Sequence, residues 1–126
     1  MSEPCVFCDI AAGKAPAKHR GTWISSIAFE PLNPVTEGHL LVAPRRHVRD
    51  ALENPSVTAA TMYDAAALVD MVRHVDDRYK SVNLITSVGA PATQTVMHLH
   101  IHIVPRSEGD GLHLPWTDQQ RNEASA

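Results

Sequence analysis

Between Met97 and Val104 the chain reads Met-His-Leu-His-Ile-His-Ile-Val, so three histidines recur at every second position with only aliphatic residues between them. In an extended strand, side chains two apart share a face and lie about 6.6 Å from each other, at roughly 3.3 Å of rise per residue. His98, His100 and His102 are therefore expected on one face and Leu99, Ile101 and Ile103 on the other. A one-residue slip would exchange the two sets, so the apolar side pins the register while the imidazoles are presented in a line. Three readings fit the pattern: a solvated polar face, chelation of a zinc ion by alternate histidines, or a neutral imidazole nucleophile flanked by hydrogen-bond donors to an anionic substrate. Spacing alone does not choose between the last two.

The rest of the chain suggests an α+β domain dominated by an antiparallel sheet. Residues 5–13 suit a short helical turn stopped by Gly13, and Thr22–Glu30 one or two short strands. His39–Ala43 is an apolar run bounded by Gly38 and Pro44, as expected of a strand buried on both faces. The longest periodic segment, Val57 to Val75, places Met62, Ala65, Ala66, Val69 and Val72 on one side of an amphipathic helix. Leu68 and Met71 widen that stripe enough for a partner subunit. Asn54 or Ser56 can cap it, with Pro55 in the first turn if Asn54 is the cap. Val82–Val88 and Val96–Val104 read as strands separated by a loop, with Pro105 closing the second.

With 126 residues the chain fits one compact domain, taken here as residues 1–110, followed by a C-terminal arm or tail over 111–126 whose end, from Asp118, is polar. A net charge of −3 and only a local basic spot at Arg45, Arg46 and Arg49 argue against a nucleic-acid partner. No apolar run approaches the roughly 20 residues that cross a bilayer, and the N-terminus lacks a signal-like pattern, so no membrane partner and a cytoplasmic location are expected. Both cysteines fall in Cys5-Val6-Phe7-Cys8. In a reducing compartment that spacing favours metal or redox chemistry over a structural disulfide, and nothing N-terminal to Cys5 supplies the strand of a redox βαβ unit.

His98-Leu99-His100-Ile101-His102-Ile103-Val104 resembles the motif of the histidine triad (HIT) superfamily. Cys5–Cys8 with Ile10 and Gly13, Asn33-Pro34-Val35, Gly38–Val42, Pro44–His47, Asn83-Leu84 and Gln94-Thr95-Val96 follow in family order, in a Hint-like arrangement. The resemblance implies a HIT-like fold, a mainly antiparallel five-stranded sheet with one long and one or two short helices, assembled as a homodimer. It implies a nucleotide-binding hydrolase or transferase that cleaves the α-phosphate bond of a purine nucleoside monophosphate conjugate through a nucleotidyl-histidine. His100 would be the nucleophile, His98 would lend its backbone carbonyl to His100, and His102 would bond the phosphate or leaving-group side. Gln94 and Thr95 would donate to phosphate oxygens.

The resemblance also implies a structural zinc held by Cys5, Cys8, His47 and His98. Pro31 stands where relatives carry a ribose-contacting side chain, with Glu30 beside it as the substitute. Ser87 replaces a frequent Asn or Gln near the phosphate, and Thr93 a frequent glycine. Phe7, Ile10, Phe29, Leu32 and Leu41 are candidates for holding the base. His39 is expected to be a hydrogen-bonded structural residue, and His19, His74 and His113 surface groups. Leu112, Leu114 and Trp116 alternate as in a short strand or extended arm, with Trp116 placed to reach a partner's site. A dinucleoside polyphosphate hydrolase of the Fhit branch, a non-catalytic nucleotide-binding module and a zinc hydrolase with an open metal are the alternatives.

Overall fold

The computed structural model describes residues 4–120, so the last six residues of the polar tail lie outside the described residues. Chain order is α1 (Val6–Ala11), β1 (His19–Thr22), β2 (Ser26–Phe29), β3 (Leu40–Pro44), α2 (Pro55–Val72), β4 (Val82–Ile85) and β5 (Ile101–Pro105), with single 3-10 turns at Asp77–Tyr79 and Ala90–Ala92. The strands form one five-stranded sheet in the order β1-β2-β3-β5-β4, and every neighbouring pair is antiparallel.

Strict alternation along the central strands feeds two apolar layers. Ala28, Leu40, Val42, Ile101 and Ile103 face α2 and pack with its Ala65, Leu68 and Val69. Ile27, Phe29, Leu41 and Ala43 face the other way and pack with Phe7 and Ile10 of α1. This two-sided cover is why β3 is an unbroken apolar run, as its sequence predicts. Gly38, just before β3, has φ +86 and lies under Tyr79, whose hydroxyl donates to its carbonyl at 2.6 Å. A Cβ at Gly38 would meet that hydroxyl oxygen at 2.8 Å, so both backbone and space favour glycine there.

Four boundaries differ from the sequence expectation. The first hairpin begins at His19 rather than Thr22. Helix α2 starts at Pro55, with the Asn54 side chain accepting from Ser56 and Val57, and ends at Val72. β4 stops at Ile85, because the Thr86 hydroxyl turns to the His100 carbonyl at 2.8 Å. β5 starts only at Ile101, so His98 and His100 precede the ladder instead of belonging to it. Continuing the β3–β5 register beyond the Val42↔Ile101 pair would set Pro44, which has no N–H, opposite Leu99. Leu99 N–H donates instead to the Val48 carbonyl at 2.8 Å. The alternation survives nevertheless, with Leu99, Ile101 and Ile103 fully buried.

The buried stripe of α2 is also more polar than its sequence suggests. Ala66 and Met71 face solvent, whereas Thr61 and Asp64 are buried. Asp64 accepts hydrogen bonds from the hydroxyls of Ser25 and Ser26, which ties the helix to the start of β2. Ser26 is wholly buried, so removing its acceptor strands a hydroxyl away from water. Asp64→Ala should therefore lower stability by about 2 kcal/mol in urea denaturation, and adding Ser26→Ala should restore part of the loss.

Candidate active site and metal centre

His98 is completely buried and is used from three sides. Its Nε2 donates to the Pro44 carbonyl at 2.7 Å. That proton leaves Nδ1 as a lone pair, and Nδ1 lies 3.3 Å from Cys5 Sγ, 3.5 Å from Cys8 Sγ and 3.1 Å from His47 Nδ1. The backbone carbonyl of His98 accepts from His100 Nδ1 at 2.8 Å.

A carbonyl can only accept, so His100 carries its proton on Nδ1 and exposes a lone pair at Nε2. Burial lowers the His100 pKa below the usual imidazole range, which keeps that lone pair free at neutral pH. Phe7 meets the ring edge-on at a centroid distance of 5.1 Å, and the His102 ring meets it steeply inclined, also at 5.1 Å. The His100 side chain is thus oriented by packing as well as by its hydrogen bond.

A second chain of imidazoles defines His102. The Val35 backbone N–H donates to His39 Nδ1 at 3.1 Å, which assigns the His39 proton to Nε2. His39 Nε2 in turn lies 3.0 Å from His102 Nδ1 and donates to it, so neutral His102 holds its proton on Nε2. Burial, with smaller contributions from His100 and His39, pushes the His102 pKa down to about 4, and burial lowers His39 as well. The expected structural role of His39 is therefore more specific: it sets the tautomer of His102. The sequence signal for this is a histidine at the head of an otherwise apolar buried strand.

Cys5, Cys8, His47 and His98 place one ligand atom each within 4.8 Å of one another, a group that could hold a metal ion. Two thiols and two imidazole Nδ1 atoms match a closed tetrahedral site, and the His98–Pro44 hydrogen bond supplies the outer contact that orients a ligating imidazole. Burial and the adjacent Cys5 push the Cys8 thiol up to about 11, a shift that a bound divalent cation would reverse. The set joins α1, the segment after β3 and the triad.

Other sequence candidates are distributed differently. Ser87 and Thr93 share a cavity wall with His102. Thr93 adopts the left-handed conformation, φ +78, which favours glycine, the residue the family resemblance implies there. Thr95 is exposed. Gln94 is buried and its side chain is spent within the fold. Its amide donates to the Arg49 and Val96 carbonyls at 2.8 and 3.0 Å and its Oε1 accepts from Gly89 N–H at 2.9 Å. With both amide hydrogens committed, Gln94 braces the 89–96 loop instead of offering a side-chain donor to phosphate.

Glu30 likewise is not brought to the triad. Its carboxylate pairs with Arg20 at 2.9 Å and Lys18 at 4.0 Å, and it follows Ala28 in alternation onto the α2 side of the sheet. Of the base-holding candidates, Phe7, Ile10, Phe29 and Leu41 are core residues, while Leu32 is almost fully exposed. Residues 111–114 form no strand, yet Leu112 and Leu114 fold over the sheet beside His102, and Trp116 is half-exposed. His19, His74 and His113 are exposed, as expected of surface groups. Thr86, which holds the His100 carbonyl, is absent from the sequence reading because nothing local marks it. Among the described residues, no helix is long and apolar enough to cross a membrane.

Known proteins share the sequence and fold of this chain. The HIT domain family model matches residues 14–109. Adenylylsulfatase HINT3 of Arabidopsis thaliana is 32% identical over 112 residues, covering 89% of this chain and 57% of the relative. A zinc-bound histidine triad family protein from Mycobacterium smegmatis has 34% identity and a TM-score of 0.77, over 87% of this chain and 80% of the other. A HIT family hydrolase from Clostridium thermocellum has 29% identity and a TM-score of 0.75, over 90% and 100%. A histidine with its lone pair held outward by a backbone carbonyl, on this sheet and with these relatives, identifies the chain as a member of the HIT family.

Proposed function

We propose that the chain is a nucleoside phosphoramidase-like hydrolase or transferase, cleaving the α-phosphate bond of a purine nucleoside monophosphate conjugate through a nucleotidyl-histidine at His100. The observation that carries the reading is the 2.8 Å contact from His100 Nδ1 to the His98 carbonyl, since it assigns the proton to the nitrogen that does not react. Nε2 attacks phosphorus, the electron pair of the breaking P–N bond goes to the leaving nitrogen, and that nitrogen, having taken a proton from solvent water, departs as neutral amine. The ring then bears positive charge, which the His98 carbonyl stabilises by accepting the Nδ1–H hydrogen bond. Water attacks phosphorus next, the N–P electron pair returns to Nε2, and a water proton is released to solvent or amine. Throughout, His102 Nε2–H and the loop carrying Thr95 are the donors available to phosphoryl oxygens, where charge redistributes.

Cys5, Cys8, His47 and His98 would hold zinc as a structural ion. When bound, zinc cross-links α1 to the segment before the triad, and four protein ligands leave no position for substrate. A homodimer in the cytoplasm completes the reading. The outer edge of β4 and the exposed Tyr63 and Met71 on α2 support the dimer.

Mass spectrometry after mixing with adenosine phosphoramidates, acyl adenylates or dinucleotides should trap one nucleotide on His100. His100→Ala should lose the adduct and more than about a thousandfold of kcat with its fold retained. Failure to trap or turn over any of these would sink the hydrolase reading in favour of a binding module.

Cys5→Ser should reduce bound zinc from one per chain toward none by metal analysis and lower the melting temperature. Retained zinc would refute the assigned ligand set.

The lowered His100 and His102 pKa values fix the sign of the pH response. Turnover requires the unprotonated nucleophile, and burial preserves that form below the ordinary imidazole pKa of about 6.5. The acid limb of kcat/KM in the free enzyme should therefore inflect below about 6.5, with activity falling as pH drops toward 4. An inflection above 7 would contradict it.

A further inference from the structure

β5 lies between β3 and β4 in the sheet, yet neither neighbour accompanies the chain before Ile101. Pairing ends at Val42↔Ile101 on the β3 side and at Ile85↔His102 on the β4 side. The segment His98–His100 runs on from β5 outside the ladder, and one bond from each flank stands in for what it has lost. From the β3 side the Val48 carbonyl accepts from Leu99 N–H at 2.8 Å. From the β4 side the Thr86 hydroxyl donates to the His100 carbonyl at 2.8 Å.

The two bonds differ in what supplies them. Val48 offers a backbone carbonyl, which a substitution at 48 would not remove, whereas Thr86 offers a side chain, so the hold from β4 depends on the choice of residue. Continued by two residues, the β4–β5 register would set Thr86 opposite Ile101 and Ser87 opposite His100, and the His100 peptide would become part of the sheet. A partly buried backbone carbonyl requires a partner, and the Thr86 hydroxyl provides one without drawing Ser87 into the ladder. Valine at 86 would have no donor and a high strand propensity, releasing the carbonyl to water or to a lengthened β4.

We propose that Thr86 is a positioning residue for the reaction at His100, holding the main chain of that residue so that Nε2 is placed in line with phosphorus. The assignment rests on the hydrolase reading above. The His100 ring is bonded at Nδ1 by the His98 carbonyl and flanked by Phe7 and His102, contacts that fix its tautomer and its rotation. The tilt of the His100–Ile101 peptide is left to the Thr86 bond. Nε2 lies at the far end of the ring, so a tilt at the backbone reaches it as a displacement, and attack on phosphorus is sensitive to displacements of about 1 Å. The hydroxyl bonds main chain and carries no charge, so its removal alters the placement of His100 and not its protonation.

The test compares Thr86→Val, which keeps the shape and removes the donor, with Thr86→Ser, which keeps the donor, both in the full chain and both checked for native circular dichroism. Adenosine phosphoramidate, an acyl adenylate and a dinucleotide are offered, and nucleotidyl-His100 formation is followed in single turnovers on whichever conjugate the wild-type protein uses fastest. Thr86→Val should slow adduct formation at saturating substrate by about fivefold or more, with the half-saturating concentration within about twofold of wild type and the acid limb of kcat/KM unmoved. Thr86→Ser should recover most of that rate. A bond that only stabilises the fold would lower the melting temperature and leave the rate of the folded protein unchanged. A loss below about fivefold in folded Thr86→Val, an equal loss in Thr86→Ser, a loss confined to half-saturation, or a displaced acid limb would overturn the positioning role alone. No adduct and no turnover with wild-type protein on any conjugate would overturn the hydrolase reading and the role of Thr86 with it.

Discussion

The buried imidazole of His98 is the point on which the active face depends. One residue closes three contacts: Nε2 to the Pro44 carbonyl, Nδ1 into the Cys5–Cys8–His47 group, and its carbonyl to His100. Each constrains the others. If Nε2 lost Pro44, the tautomer would be free to change, and a proton on Nδ1 would abolish it as a metal ligand. If the peptide rotated, His100 would lose the acceptor that fixes its proton on Nδ1. A fully buried histidine without these partners would be a net cost to the fold, so the contacts stabilise the residue that transmits them.

Pro44 links this node to the sheet. It ends β3, and because it has no N–H it cannot extend the ladder toward the residues before Ile101. The triad is therefore divided between two backbone environments. His102 sits in β5, opposite Leu41, while His98 and His100 lie in a segment whose polar groups bond to Val48 and Thr86 and to the triad's own imidazole. Release from the ladder is what frees the His98 carbonyl to face a side chain. A continuous strand would have spent that carbonyl on a neighbouring backbone N–H.

Much of this was legible in sequence because it depends on period. The two-residue alternation of Leu99, Ile101 and Ile103 against the histidines and the two-sided burial of β3 are patterns that local chemistry imposes, whereas the grouping of Cys5 and Cys8 with His47 and His98 came from the family resemblance. Features decided by long-range partners were not legible. Nothing beside Asp64 in sequence marks it as buried, since its partner Ser26 lies 38 positions away. Gln94 reads as a phosphate donor from its place before the triad, yet the Arg49 carbonyl, 45 positions away in sequence, takes one of its hydrogens. Glu30 reads as a substitute for Pro31, but strand alternation turns it to the opposite side of the sheet, where Arg20 neutralises it.

The two histidine pairs then differ in a way that their equal spacing conceals. His100 is oriented by a carbonyl, a fixed acceptor, so its tautomer survives any protonation change nearby. His102 is oriented by His39, whose own proton is placed by Val35 N–H, so its tautomer depends on a second titratable ring remaining neutral. Protonating His39 would set an N–H against the Val35 N–H and cost that hydrogen bond, which together with burial explains why His39 resists it. His100 is thereby held by backbone, and His102 by a two-ring relay anchored to backbone. Loss of His39 would leave the His100 tautomer fixed by the His98 carbonyl while releasing the orientation and tautomer of His102.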